Sequence, residues 1–123
     1  MHPARLQRIA HQEVRRTLAS LPAPIREAAA TCRVDVVLIS ECIGSGEDLP
    51  EDLLGLFEGC SRLDDLALSP EQMPRIRLFL DNLWDHAEHD LRDFRQEVRV
   101  TVLHELGHYL GFDEAEVERL GLA

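Results

Sequence analysis

The sequence has few cysteines and no long apolar run, and these absences exclude several classes of protein. Its three cysteines, Cys32, Cys42 and Cys60, form no CxxC pair, which fits neither a disulfide framework nor a thiolate zinc knuckle. No stretch approaches the roughly 18 apolar residues of a membrane span. The first residues also contain no apolar run of signal-peptide length. We therefore expect no membrane partner, and a reducing cytoplasm as the compartment.

Positive charge is also scarce. The chain has 13 basic and 23 acidic residues, which gives a formal net charge of -10. Such a surface gains little from counterion release on nucleic acid or from attraction to anionic lipid. Arg92, Arg95 and Arg99 are spaced like one helix face, but acidic residues alternate with them. This pattern is typical of a solvated helix surface with ion pairs. We expect no nucleic-acid partner.

The length and apolar content suit one domain. The chain has 123 residues, of which 45% are hydrophobic, and we expect a single domain over residues 1–123. Apolar spacing, β-branched runs and proline or glycine stops predict helices and strands. The predicted helices are 6–21, 24–32, 91–110 and a short one after Gly111, and the predicted strands are 34–40, 53–59 and 75–80. This order lacks a strict βαβ alternation, so it favours an α+β domain with a small mixed sheet and helices packed against it.

The segment "VTVLHELGHYLGFDE" contains an HExxH arrangement formed by His104, Glu105 and His108. Residues four apart are neighbours on one face of an α-helix, so the two imidazoles can bind one zinc ion. Glu105 is one residue further on, about 100° around the helix. From that position a carboxylate can reach a water molecule without being a metal ligand, as a general base requires.

The rest of the same helix indicates that the histidines face away from the core. An apolar stripe lies along one side of it, bordered by Leu103 and Tyr109, and comprises Leu91, Phe94, Val98, Val102, Leu106 and Leu110. At about 100° per residue, His104 and His108 lie opposite the centre of this stripe. Small or short residues, Thr101, Gly107 and Gly111, share their face. A core on one side and a cleft on the other would produce this pattern.

A third zinc ligand has to come from the segment after the helix or from upstream. Gly111 allows the chain to turn sharply just past the helix end, and Asp113 and Glu114 follow it. Either carboxylate could be a ligand, and either could instead stabilise the start of the last helix.

Two other groups of residues could carry chemistry. His86 and His89 could bind a metal if their segment is helical, although exposed polar residues are the simpler interpretation. The three cysteines could include a nucleophile, but small buried apolar residues account for them better.

The stretch "HELGHYLGFDE" resembles the HExxHxxGxx(H/D/E) site of metzincin metalloproteases. More closely, nearly the whole chain resembles small bacterial proteins with a matrix-metalloprotease-like domain, often called minimal zincins. "LLGLFEG" is the second specific match. The resemblance implies a compact zincin-like fold and Zn²⁺ bound by His104, His108 and an acidic residue at the motif position, Glu114, with Asp113 as the alternative. Met1 and Met73 both precede the motif, so the Met-turn of full metzincins is not found here.

The motif and the resemblance predict a zinc-dependent metallopeptidase with Glu105 as general base. The resemblance further implies a peptide or protein substrate lying extended along a strand edge, for which the strand 75–80 is the candidate. The oligomeric state is open. One alternative is a non-catalytic, zinc-stabilised protein-binding domain that retains the ligand set. A metal-free helical adaptor is a third hypothesis.

Overall fold

The computed structural model describes residues 1–59 and 74–119. Within them, helices and strands are mixed, as the sequence predicts. In chain order the elements are α1 (Pro3–Ala19), α2 (Ala23–Ala29), β1 (Arg33–Val37), α3 (Ile39–Gly44), β2 (Gly55–Glu58), β3 (Arg75–Phe79), α4 (Leu80–His86), α5 (Leu91–Tyr109) and α6 (Glu114–Arg119). The α+β fold class is confirmed.

The three strands form a mixed sheet with the order β1-β3-β2. β3 pairs in parallel with β1 and antiparallel with β2. The prediction that strand 75–80 offers an edge to a substrate is therefore wrong. The backbone groups of β3 are already bonded on both sides, so this strand cannot accept another.

Side chains of β3 alternate between the two faces of the sheet, as the pleat of a strand requires. Ile76 and Leu78 are fully buried in the main hydrophobic cluster. Arg77 and Phe79 are also buried, and the Arg77 guanidinium carbon lies 5.6 Å from the centre of the Phe79 ring. The sheet thus has one wholly apolar face and one face where a buried cation is accommodated.

Arg77 is bound by carboxylates from two segments. Its Nη atoms contact both Glu47 oxygens at 2.9 and 3.0 Å, and its Nε pairs with Glu58 on β2. Burial on its own would lower the pKa of Arg77, but these hydrogen bonds raise it. A buried charge needs such partners. Arg77 therefore connects the central strand to β2 and to the loop after α3.

The helices bury the apolar face of the sheet. α1, α4 and α5 contact one another, and α5 also contacts β2 and β3. The largest fully buried side chains of this core include Phe94, Leu83, Leu80 and Val98. Burial of such side chains contributes about 1.5–3 kcal/mol each before the entropy cost of ordering them. α5 is the element on which the core and the candidate site both depend.

Two predicted strands end early because a helix begins there, and the predicted strand 53–59 is shorter, Gly55–Glu58. The predicted strand 34–40 ends at Val37, and α3 begins at Ile39. The cause is Asp81 of α4, whose carboxylate accepts hydrogen bonds from the backbone N–H of Ile39 at 2.8 Å and of Ser40 at 3.1 Å. This cap stabilises a helix start. Leu80, predicted as the last strand residue, begins α4 instead.

Among the described helices, none combines the length and the apolar character needed to cross a bilayer.

Candidate metal centre

Helix α5 holds the HExxH residues on a rigid support. Asp90 caps its first turn by accepting a hydrogen bond from the backbone N–H of Asp93 at 2.9 Å. The predicted apolar stripe is confirmed, since its members from Phe94 to Leu110 are buried. His104 is half-buried and His108 is exposed, on the side away from the stripe. The helix is therefore anchored by one face and presents its histidines on the other.

The three predicted site residues lie together. One ligand atom of each of His104, Glu105 and His108 lies within 4.8 Å of the others. The two imidazole rings are 4.6 Å apart between centroids, at an interplanar angle of 67°. Glu105 Oε2 lies 3.5 Å from His108 Nδ1. Among the described residues, these three form the one group of His, Cys, Asp and Glu side chains close enough to share a metal ion.

Glu105 is the unusual member of this group. It is only 8% exposed, and among the described residues its buried Oε2 accepts no hydrogen bond; its nearest described polar contact is His108 Nδ1, at 3.5 Å. An unsatisfied buried carboxylate oxygen costs free energy unless a polar group reaches it. Imidazole nitrogens and carboxylate oxygens are the donors that zinc accepts. The residues present therefore fit a zinc ion.

Strand β2 packs across α5 next to the histidines. A Cβ atom placed on Gly55 would lie 2.6 Å from Thr101 Cγ2, so only glycine permits this approach. Further along, the rings of Phe57 and Tyr109 are 5.7 Å apart. These two contacts fix β2 against α5 just before and just after the motif.

Tyr109 has a structural role. It is 4% exposed, and its hydroxyl shares a hydrogen bond with Thr31 Oγ1 at 2.5 Å. This bond ties the end of α5 to the turn after α2. The Tyr109 side chain therefore points into the protein, and its hydroxyl is not directed at the histidines.

The chain reverses direction after the motif, as Gly111 predicts. Gly111 adopts a left-handed φ of 77°, and the backbone N–H of Phe112 bonds back to the carbonyl of Gly107 at 2.9 Å. Asp113 Oδ1 then accepts a hydrogen bond from the backbone N–H of Glu116 at 2.7 Å, which is the geometry of a helix N-cap. Glu114 begins α6, but its side chain lies outside the described part of the structure.

A pocket of about 300 Å³ adjoins His104 on the N-terminal side of the motif. It lies between α5 and the start of β2 and is lined by Leu54, Gly55, Glu97, Val100, Thr101, His104 and Glu105. Sequence reasoning did not identify its walls. The spacing of Glu97, seven residues before His104, is a signal that could have indicated one of them, because such residues share a helix face. Leu54 and Gly55 reach α5 by a contact across the fold, so no local sequence pattern predicts that they line the pocket.

His86 and His89, which the sequence offered as alternative metal ligands, contact other residues. His89 Nε2 lies 2.9 Å from Asp85 Oδ1, and its ring stacks on Trp84 at 5.2 Å. His86 Nε2 lies 3.6 Å from Glu97 Oε2. Neither histidine belongs to a group of three ligands within the described residues.

The described cysteines are poor nucleophiles. Burial raises the pKa of Cys32 to about 11. Burial and the neighbouring Glu47 raise the pKa of Cys42, against the effect of Arg77. The thiolate is the reactive form, so both thiols are held in their unreactive state at neutral pH. Cys60 lies outside the described residues.

Comparison with known proteins agrees with the site geometry. A search of curated proteins gave no match. The family model described as zincin-like metallopeptidase matches residues 33–122, which cover all three strands, the pocket and the HExxH helix. The chain therefore belongs to the zincin-like metallopeptidase family.

Proposed function

We propose that the protein is a zinc-dependent peptidase in which His104, His108 and Glu114 hold the metal and Glu105 is the general base. The observation that carries the proposal is the buried Glu105 carboxylate, whose Oε2 accepts no hydrogen bond from the described residues and which lies beside the paired imidazoles on the same helix. Membership of the zincin-like metallopeptidase family supports the same reaction class.

In this proposal Glu105 transfers the proton and the other site residues hold the metal. When bound, zinc supplies a Lewis acid that lowers the pKa of a water molecule to near 7 and polarises a carbonyl group. Glu105 accepts the proton of the attacking water and delivers it to the leaving amine. Its burial excludes bulk water from the carboxylate, and the packed stripe of α5 fixes its direction. Glu114 is preferred to Asp113 as third ligand, because Asp113 is engaged as the cap of α6.

A peptide substrate is best accommodated along β2. This strand lies at one edge of the sheet and, in the described residues, pairs only with β3. It crosses α5 beside the histidines through Gly55 and Phe57. An extended peptide could add to this edge by main-chain hydrogen bonds, with its backbone close to Glu105.

One observation favours a second candidate, a zinc-stabilised binding domain without turnover. Tyr109, the polar side chain adjacent to His108, is turned into the core and bonded to Thr31. In the described residues we identify no second group that would stabilise an oxyanion. This candidate predicts zinc binding and peptide binding without cleavage.

The variant Glu105→Gln tests the proposal. Glutamine keeps the size of the side chain but cannot accept the proton, so zinc should remain bound while peptide hydrolysis falls by about 10²-fold or more. Glu27→Gln, on the exposed side of α2, is the matched control and should keep full activity. Equal hydrolysis by Glu105→Gln and wild type would refute the role of Glu105. A zinc-loaded wild type that cleaves nothing across a broad peptide library would favour the binding domain.

A further inference from the structure

The pocket beside His104 combines largely apolar walls with one carboxylate, that of Glu97, in addition to the proposed base. Leu54 and Gly55 of the β2 segment form one wall, and Val100 and Thr101 of α5 form the other. Among the described lining residues, Glu97 is the only acidic one apart from the proposed base, Glu105. A site with this lining suits a side chain that is apolar along its length and charged at its tip.

Glu97 lies at a defined distance from the reacting centre. Glu97, Thr101 and His104 are spaced so that they share one face of α5. At 1.5 Å per residue, Glu97 is about 10 Å from His104 along the helix axis. Only a long side chain could span from a backbone held beside His104 to this carboxylate. A free amino terminus next to the cleaved bond would not reach it.

The Glu97 carboxylate can still bind a cation. Its described partner is His86, whose Nε2 lies 3.6 Å from Oε2. The His86 side chain is 56% exposed, so solvent weakens this contact. A carboxylate offers about four acceptor positions, and His86 uses one of them. The formal charge of -10 on the chain adds a general attraction for cationic peptides.

We propose that Glu97 determines specificity, and that the pocket receives a lysine or arginine side chain of the peptide next to the cleaved bond. The aliphatic stem would pack on Leu54, Val100 and Thr101, and the cationic tip would pair with Glu97. This inference rests on the proposed peptidase function, since it names the substrate of the same site.

The test compares peptides that differ in one side chain. Fluorescence-quenched peptides, N-acetylated and C-amidated, carry lysine, norleucine or glutamate on either side of the cleaved bond. Norleucine keeps the apolar stem and removes the charge. For the zinc-loaded full chain, kcat/KM should be about tenfold higher with lysine than with norleucine, as expected for a charge-assisted hydrogen bond. A free-amine version of the norleucine peptide tests whether an amino terminus can replace the side chain.

Variants at position 97 assign the preference to Glu97. In Glu97→Gln the lysine-to-norleucine ratio should fall to near one, and in Glu97→Lys the glutamate peptide should become the preferred substrate. The control Glu27→Gln should keep the wild-type ratio. An overall loss of stability would lower all rates together, so the ratio separates specificity from folding. A ratio near one in wild type, a ratio that persists in Glu97→Gln, or a preference for the free-amine peptide would overturn the inference.

A binding measurement distinguishes failure of this inference from failure of the peptidase proposal. If wild type cleaves none of the peptides, their dissociation constants are measured on zinc-loaded Glu105→Gln. Lysine peptide binding about tenfold tighter than norleucine, lost in the double variant Glu105→Gln/Glu97→Gln, would support the pocket while the peptidase proposal fails. Equal binding of the two peptides, or no binding, would refute the pocket assignment.

Discussion

Substitution of Gly55 by alanine should loosen the strand that walls the candidate site. The added Cβ would lie 2.6 Å from Thr101 Cγ2 and 3.4 Å from the Arg77 carbonyl oxygen. Carbon atoms normally approach to about 3.5–4.0 Å, so β2 and α5 would have to separate by about 1 Å. Thr101 is buried and β-branched, so its side chain cannot easily rotate away. We expect a loss of about 1–3 kcal/mol in the free energy of unfolding, or roughly 4 °C in Tm per kcal/mol.

A double-mutant cycle, measured by urea unfolding, tests the cause of this loss. Thr101→Ser removes the clashing methyl group and costs about 0.8 kcal/mol for its burial. Gly55→Ala should cost much less in the Thr101→Ser background, with a coupling energy of about 1 kcal/mol or more. Gly44→Ala is the control, because a Cβ at Gly44 meets nothing within 4 Å. Strictly additive effects, or a Gly55→Ala variant as stable as Gly44→Ala, would refute the close β2–α5 contact.

Four further predictions follow from other contacts. Burial alone would raise the pKa of Asp81, but hydrogen bonds from Ile39 and Ser40 lower it. The ionised Asp81 carboxylate therefore stabilises the folded state above the unfolded pKa of about 4, and this contribution disappears as pH falls through the folded pKa. Asp81→Ala should therefore lower the free energy of unfolding by about 1 kcal/mol at pH 7. Urea unfolding from pH 7 to 2 should also show a smaller loss of stability with falling pH in this variant than in wild type. Arg77→Met should cost about 1.5–3 kcal/mol in the same assay, because its charged hydrogen bonds to Glu47 and Glu58 are lost, and an unchanged midpoint would contradict its role. Removing zinc with a chelator should lower Tm. If the free zinc concentration was a hundred times Kd, the loss in the free energy of unfolding is about 2.7 kcal/mol. An unchanged Tm would count against a bound metal. Glu114→Ala should lower zinc content measured by mass spectrometry while Asp113→Ala keeps it, and the reverse result would make Asp113 the ligand.

Local periodicity was sufficient to predict the helix that carries the site. The apolar stripe from Leu91 to Leu110 repeats at helical spacing, so it indicates both the helix and the side on which His104 and His108 lie. The HExxH spacing is itself a local property of that helix. These features depend on neighbours within a few turns, which is why the sequence alone reveals them.

Features that depend on distant partners could not be predicted in this way. β1 ends early because Asp81, about forty residues away in sequence, caps α3. The order of strands places β3 in the centre, and no pattern within residues 75–80 specifies that. The pocket wall at Gly55 also arises from a contact across the fold. The buried Arg77 looks like an exposed strand residue in the sequence, because its carboxylate partners come from other segments.

Metal content tests whether His104 and His108 bind a metal ion. Mass spectrometry is carried out on protein purified without a tag or added metal, for wild type and His108→Ala in parallel. Both are measured again after reconstitution with zinc at neutral pH. We expect about one zinc per chain in wild type and its loss in His108→Ala, since removing one of two imidazole ligands opens the site. No zinc in either protein, even after reconstitution, would mean that His104 and His108 are surface histidines of α5 that bind no metal.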